Sequence, residues 1–138
     1  MVTQIFVNLP VKDLQKSIDF FTQLGFTFNP QFTDDNATCM IMGDNLFAML
    51  MVENRFKDFT KKHIIDAHTH VEVLNALSVG SREEVDSLVL KALGAGGVEP
   101  VPAQDYGWMY SRDFQDLDGH VWEIFYMDEK AAIEANKK

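Results

Sequence analysis

The stretch DLDGHVWEIFYMD, Asp116 to Asp128, decides the fold of this chain. Gly119 after Asp118 marks a tight turn, because glycine takes positive φ without a Cβ clash, and the aromatic and β-branched run that follows reads as a strand. One acid, Glu123, stands among Val121, Trp122, Ile124, Phe125 and Tyr126. An unpaired charge is costly to bury, so Glu123 faces either solvent or something that needs a carboxylate.

Working outward, the segment that leads to this strand repeats one that opens the chain. NLPVKDLQKSIDFFTQLGF, Asn8 to Phe26, has the same shape as ALSVGSREEVDSLVLKALGAGG from Ala76: a short strand ending in Val, a capping residue, a helix, then glycine. Asp13 caps the first helix, whose apolar positions Leu14, Ile18, Phe21 and Leu24 follow the helical period, and Gly25 ends it. Ser81 and Glu84 form a capping box for the second, with Val85, Leu88, Val89 and Leu93 as its stripe and Gly94, Gly96 and Gly97 as its stop. Three strand-like segments follow each helix: FTFNP, ATCMIMG and NLFAMLMV in the first copy, GVEPVPA, YGWMYSRDF and HVWEIFYM in the second. The offset between matched positions grows from 68 residues at Val11 and Val79 to 74 at Asp44 and Asp118, so the second copy carries small insertions. Each copy reads β-α-β-β-β. The expected organisation is module 1 over about 1–52, a partly helical connecting segment 53–70, module 2 over about 71–128, and a helix-prone surface tail 129–138.

The length suits one compact domain, and 46% hydrophobic residues with 12% aromatics supply a core. A formal charge of −9, from 21 acids and 12 bases, disfavours nucleic acid and anionic membranes as partners. The N-terminal MVTQIFVNLPVKD has no basic leader and meets Lys12 and Asp13 after a short apolar run, so the expectation is neither a signal peptide nor a membrane span, and a cytoplasmic location. Cys39 is the only cysteine, which leaves no intrachain disulfide, and in ATCMIMG it reads as a buried hydrophobe.

The opening VKDLQKSIDFFTQLGF and the closing DLDGHVWEIF resemble the two signature passages of the vicinal oxygen chelate superfamily, which includes glyoxalase I (lactoylglutathione lyase), extradiol dioxygenases and bleomycin and fosfomycin resistance proteins. Leu117 stands where the second motif usually has proline. The resemblance implies an α+β fold of two βαβββ modules whose curved mixed sheets enclose a cleft, often in a homodimer. In metal-dependent members four inward positions hold a divalent ion, and counting from the motifs places them at Phe6, Met49, Leu74 and Glu123; only Glu123 could ligate. The resemblance therefore implies a degenerate metal site.

Strand alternation then predicts the ligand-binding lining: Phe6 and Asn8; Phe47, Met49 and Met51; Leu74 and Ala76; Glu123 and Phe125. Ile5, Val7, Leu9, Trp122, Ile124 and Tyr126 would lie under the helices. The expected cleft is apolar with a single carboxylate and one amide. Glu123 has two readings: a carboxylate solvated or paired with Arg112, or a catalytic acid or base whose pKa is raised by apolar surroundings. His120, directly after the turn, could join Glu123 at a metal; His68 and His70, two apart, could chelate from a rim, while His63 has no special claim. Tyr106, Trp108 and Tyr110 alternate on one expected strand, either as cross-strand packing or as a stacking wall, with Trp108 the ligand-binding candidate.

Two functions compete at this stage. One is a metal-free protein that binds an amphipathic small molecule, cationic or hydroxyl-bearing, in the cup, with Glu123 as recognition group or general base. The other is a metal-dependent lactoylglutathione lyase-like or extradiol dioxygenase-like enzyme with a non-standard ligand set, whose ion would act as a Lewis acid.

Overall fold

In the computed structural model, residues 1–137 are described. They fall into two compact units, one over residues 1–66 and one from residue 67 onward. The first runs β1 (Ile5–Val11), α1 (Leu14–Gln23), β2 (Thr27–Asn29), a 3-10 turn at Pro30–Phe32, β3 (Ala37–Gly43), β4 (Leu46–Val52) and a short α2 (Glu53–Phe56). The second runs β5 (Leu74–Ser78), α3 (Arg82–Gly94), β6 (Gln104–Asp105), β7 (Met109–Gln115), β8 (Val121–Met127) and α4 (Glu129–Ala135). Strand order is β1-β4-β3-β2 in one sheet and β5-β8-β7-β6 in the other, so the two units repeat one topology. Each sheet is mixed: β1 pairs β4 and β5 pairs β8 in parallel, and the remaining pairs are antiparallel.

The repeat extends to how the helices start and stop. The Asp13 side chain accepts from the Lys16 N–H and the Ser81 side chain from the Glu84 N–H, both at 3.1 Å. The expected capping box is shifted by one residue, because the Glu84 carboxylate takes the N–H of Gly80, at 3.2 Å. At the other end, Gly25 (φ 99°) and Gly96 (φ 108°) adopt the left-handed conformation. The N–H groups of Gly25 and Phe26 return to the carbonyls of Thr22 and Phe21, and those of Gly96 and Gly97 to Leu93 and Ala92. Both helices thus close in a Schellman motif, and in the first copy the Phe21 and Phe26 rings meet at 6.1 Å, the apolar contact that accompanies it.

Period-two alternation sorts each sheet into a helix-covered face and a second face. Under α1, Leu9, Val11, Thr38, Met40, Ala48 and Leu50 are buried with Leu14, Phe20, Phe21 and Leu24. Under α3, which packs on β7 and β8, Phe114, Trp122 and Ile124 are buried with Val85, Val89 and Ala92. Ile5 departs from the expected buried set and is 53% exposed at the start of β1. The expected strand in GVEPVPA is reduced to a single bridge, Val98 to Gln115, before the two-residue β6. Pro100 and Pro102 have no N–H to give a ladder. No helix among the described residues is long and apolar enough to cross a membrane.

Candidate functional site

The turn before β8 is organised by a residue with no assigned part in the sequence reading, Asp116. Its carboxylate is buried and accepts from the N–H groups of Asp118 at 2.9 Å and His120 at 3.0 Å, and from the Trp122 indole Nε1–H at 3.0 Å. Burial raises the Asp116 pKa, against the opposing charge of His120. One side chain therefore ties the turn backbone to the largest buried ring of the unit, and this sets where Glu123 emerges.

From that turn β8 runs with Trp122 and Ile124 toward α3, and Val121, Glu123 and Phe125 on the other face. Across the sheet Glu123 is paired with Ala76 on β5 and with Asp113 on β7. Leu74 and Ala76 share the Glu123 face, since Leu74 pairs Val121. The expected single carboxylate is thus corrected to two, on directly opposed residues, and like charges so placed repel. Neither Asp113 nor Glu123 has a hydrogen bond or ion pair with any described residue in the structure. The Asp113 carboxyl is pushed up to about 6, by burial first and then by the negative charges of Glu123 and Glu99.

The sequence already held a signal for Asp113. A hairpin turning at Asp118 pairs residues equidistant from it, and Asp113 and Glu123 stand five places to either side. The same alternation removes Arg112 as a partner of Glu123, because Arg112 opposes Ile124 and points to the other face. There it binds Glu99 through Nε at 2.9 Å and Nη2 at 3.1 Å, and Asp86 through Nη1 at 3.0 Å.

Asp113 gives a direct stability test. Its folded value of about 6 exceeds the ordinary 3.8, so between those pH values the folded state binds more protons than the unfolded chain and stability falls as pH rises. Above about pH 6 the whole penalty is present. Asp113→Asn is expected to raise Tm by a few degrees at pH 7.5 and to leave it unchanged below pH 4, measured by calorimetric unfolding across that range. An equal gain at both ends would remove the carboxyl's charge as the cause.

In the first unit, Phe6, Asn8, Phe47, Met49 and Met51 share one face, with Phe6 opposite Phe47 and Asn8 opposite Met49. The Phe6 and Phe47 rings stack at 4.7 Å and 14°, and Phe6 is 46% exposed. The Asn8 amide donates to the Phe6 carbonyl at 3.2 Å. Cys39, opposite Met49 on this face, is buried, and burial pushes its thiol up.

The aromatic stripe is corrected by the β6–β7 turn. Tyr106 and Trp108 sit at the hairpin tip around Gly107 (φ 81°), where their rings stack at 5.9 Å. Tyr110 lies on β7 under α3, its hydroxyl donating to Asp86 at 2.6 Å and its ring beneath the Arg82 guanidinium at 5.1 Å. The three do not form one wall.

The donor chemistry does not fit the metal that the fold implies. Of the four positions Phe6, Met49, Leu74 and Glu123, three carry no oxygen or nitrogen donor in the side chain, and a catalytic divalent ion needs about three protein ligands. His120 lies beside the Asp116 carboxylate, and His70 Nδ1 meets the Thr69 hydroxyl at 2.8 Å. Among the described residues no three His, Cys, Asp or Glu side chains are grouped to hold an ion.

Two βαβββ units in tandem, each with a parallel first and last strand, define the class of fold. A family model, Bleomycin resistance protein-like N-terminal, matches residues 3–43. Among solved structures, a hypothetical protein, SA1046, from S. aureus is 31% identical, with 91% of this chain and 95% of that chain covered and a TM-score of 0.77. A glyoxalase/bleomycin resistance protein/dioxygenase family enzyme from Burkholderia phytofirmans is 18% identical over 88% of this chain and 96% of that one, at a TM-score of 0.73. The fosfomycin resistance protein FosX from Listeria monocytogenes is 19% identical over 91% and 94%, at 0.67. No curated protein sequence matches. The chain has the fold of the glyoxalase/bleomycin resistance/dioxygenase proteins, and its first strand, helix and hairpin segment match the bleomycin resistance protein-like N-terminal family.

Proposed function

We propose that this protein binds a small amphipathic molecule, bearing a cation or a hydroxyl donor, against the Glu123 face of its second unit, and that its metal site is degenerate. One observation carries the reading: Glu123 and Asp113 oppose each other on that face with no cationic partner among the described residues. A ligand ammonium would supply the charge this pair lacks, and charge-assisted hydrogen bonds to carboxylates are the stronger kind. Leu74, Ala76 and Phe125 would give the apolar contact around it, and the adaptable side chains Met49 and Met51 with Phe6, Asn8 and Phe47 form a further candidate surface on the first unit. Trp108, at the hairpin tip, is a third.

A thermal-shift screen should find that aryl-alkyl amines stabilise the protein where the matching alcohols and hydrocarbons act less. In Glu123→Gln the amine affinity should fall by about tenfold or more, the size of one charged contact. Equal binding by that variant would remove the carboxylate from recognition. The competing metal-dependent reading is tested by elemental analysis of protein purified without chelators. The expectation is less than about a tenth of an equivalent of Ni, Zn, Mn or Fe per chain, since one carboxylate does not make a site that normally takes about three ligands. A stoichiometric ion would overturn the degenerate assignment.

A further inference from the structure

A groove of about 450 Å³ lies in the second unit on the side of the sheet away from Glu123, lined by Glu99 to Ala103, Tyr110 and Arg112. Its charged centre is Arg112, whose side chain is only 15% exposed. Three hydrogen bonds fix the guanidinium: Nη1 is held by Asp86, which is itself held by the Tyr110 hydroxyl, while Nε and Nη2 both donate to Glu99. Asp86 and Tyr110 come from α3 and β7, the packed body of the unit. Glu99 comes from elsewhere: it follows the last bridged residue, Val98, and begins a run in which five residues, 99 to 103, span three of β7 before pairing resumes at Gln104. Two of those five are prolines, which cannot donate to a ladder.

The body of the unit therefore holds the guanidinium through Nη1 and Asp86, while the carboxylate on its Nε/Nη2 fork is carried by a segment outside the strand ladder. A Nε/Nη2 fork occupied by two parallel N–H···O bonds is the geometry by which arginine recognises carboxylates in general. We propose that this groove is a second binding site, for small carboxylates with a short apolar body, and that Glu99 closes it as an internal stand-in for the ligand. Pro100, Val101 and Pro102 give the apolar wall beside the fork, and Arg82, tied to Asp105 and the Gly107 carbonyl, anchors the far end of the segment. Entry of a ligand exchanges one carboxylate for another on Arg112 and frees the Glu99 side chain.

Benzoate, with benzyl alcohol as the uncharged control, is the probe. In the wild-type protein, Nε–H of Arg112 is expected to shift saturably in ¹⁵N NMR with a Kd in the millimolar range, weakened by competition from a tethered carboxylate whose effective concentration is on the order of millimolar or above. Glu99→Gln, and independently Glu99→Ala, should bind benzoate about tenfold or more tightly, and adding Arg112→Gln should abolish that gain. Benzyl alcohol should shift nothing at Arg112. The proposal falls if neither Glu99 variant binds more tightly than wild type, or if the binding survives loss of the guanidinium. Since this groove and the Glu123 face are on opposite sides of the sheet, Glu123→Gln should leave benzoate binding unchanged.

Discussion

Gly119→Ala is expected to destabilise the protein by about 4 kcal/mol, the largest effect of any single methyl here. Two causes combine. Gly119 has φ 88°, a region that costs an L-residue roughly 1–2 kcal/mol. In addition, a Cβ built there would lie 2.5 Å from the backbone N of His68, 2.7 Å from the carbonyl carbon of Ala67 and 2.9 Å from its oxygen. These are main-chain atoms, so the Ala67–His68 segment must move as a piece. Gly25→Ala separates the causes, because Gly25 has φ 99° and nothing within 4 Å of its Cβ position. Denaturant unfolding should therefore show a loss of about 1–2 kcal/mol at Gly25, the strain alone, and a clearly larger one at Gly119. Equal losses would show that the close approach to His68 contributes nothing.

Asp116→Ala is expected to cost at least about 3 kcal/mol, since it leaves a buried indole N–H and two turn N–H groups without their acceptor, and each such orphan costs roughly 1–3 kcal/mol before relaxation. For a chain of this size that is a fall in Tm of roughly 10 °C. Asp116→Asn retains one good acceptor but turns an amide N–H₂ toward either the indole or the turn, so its loss should fall between wild type and alanine. Near-UV circular dichroism should report the change at Trp122, whose Nε1–H bonds directly to Asp116. A substitution of Asp116 that left both stability and the indole signal unchanged would contradict this account of the turn.

Much of the fold was written locally. The Asp13 and Ser81 caps, the glycine stops, the Asp118-Gly119 turn and the alternation in ATCMIMG, NLFAMLMV and HVWEIFYM act between residues a few places apart, so sequence order carries their information. The same alternation told which face Glu123 would take. What it misjudged lay in VEPVPA and DYGWMY, where two prolines and a hairpin turn interrupt patterns that looked like strands.

The sequence by itself determined a repeated βαβββ unit, the ends of its helices, and a carboxylate at position 123 within an apolar strand. Only the tertiary structure decided what that carboxylate stands beside. Asp113 opposite it, Arg112 turned away to Glu99 and Asp86, and Asp116 beneath Trp122 are all relations between strands. They depend on register and on charges brought together across the sheet, and a one-residue shift of pairing would exchange every one of them without changing any local pattern.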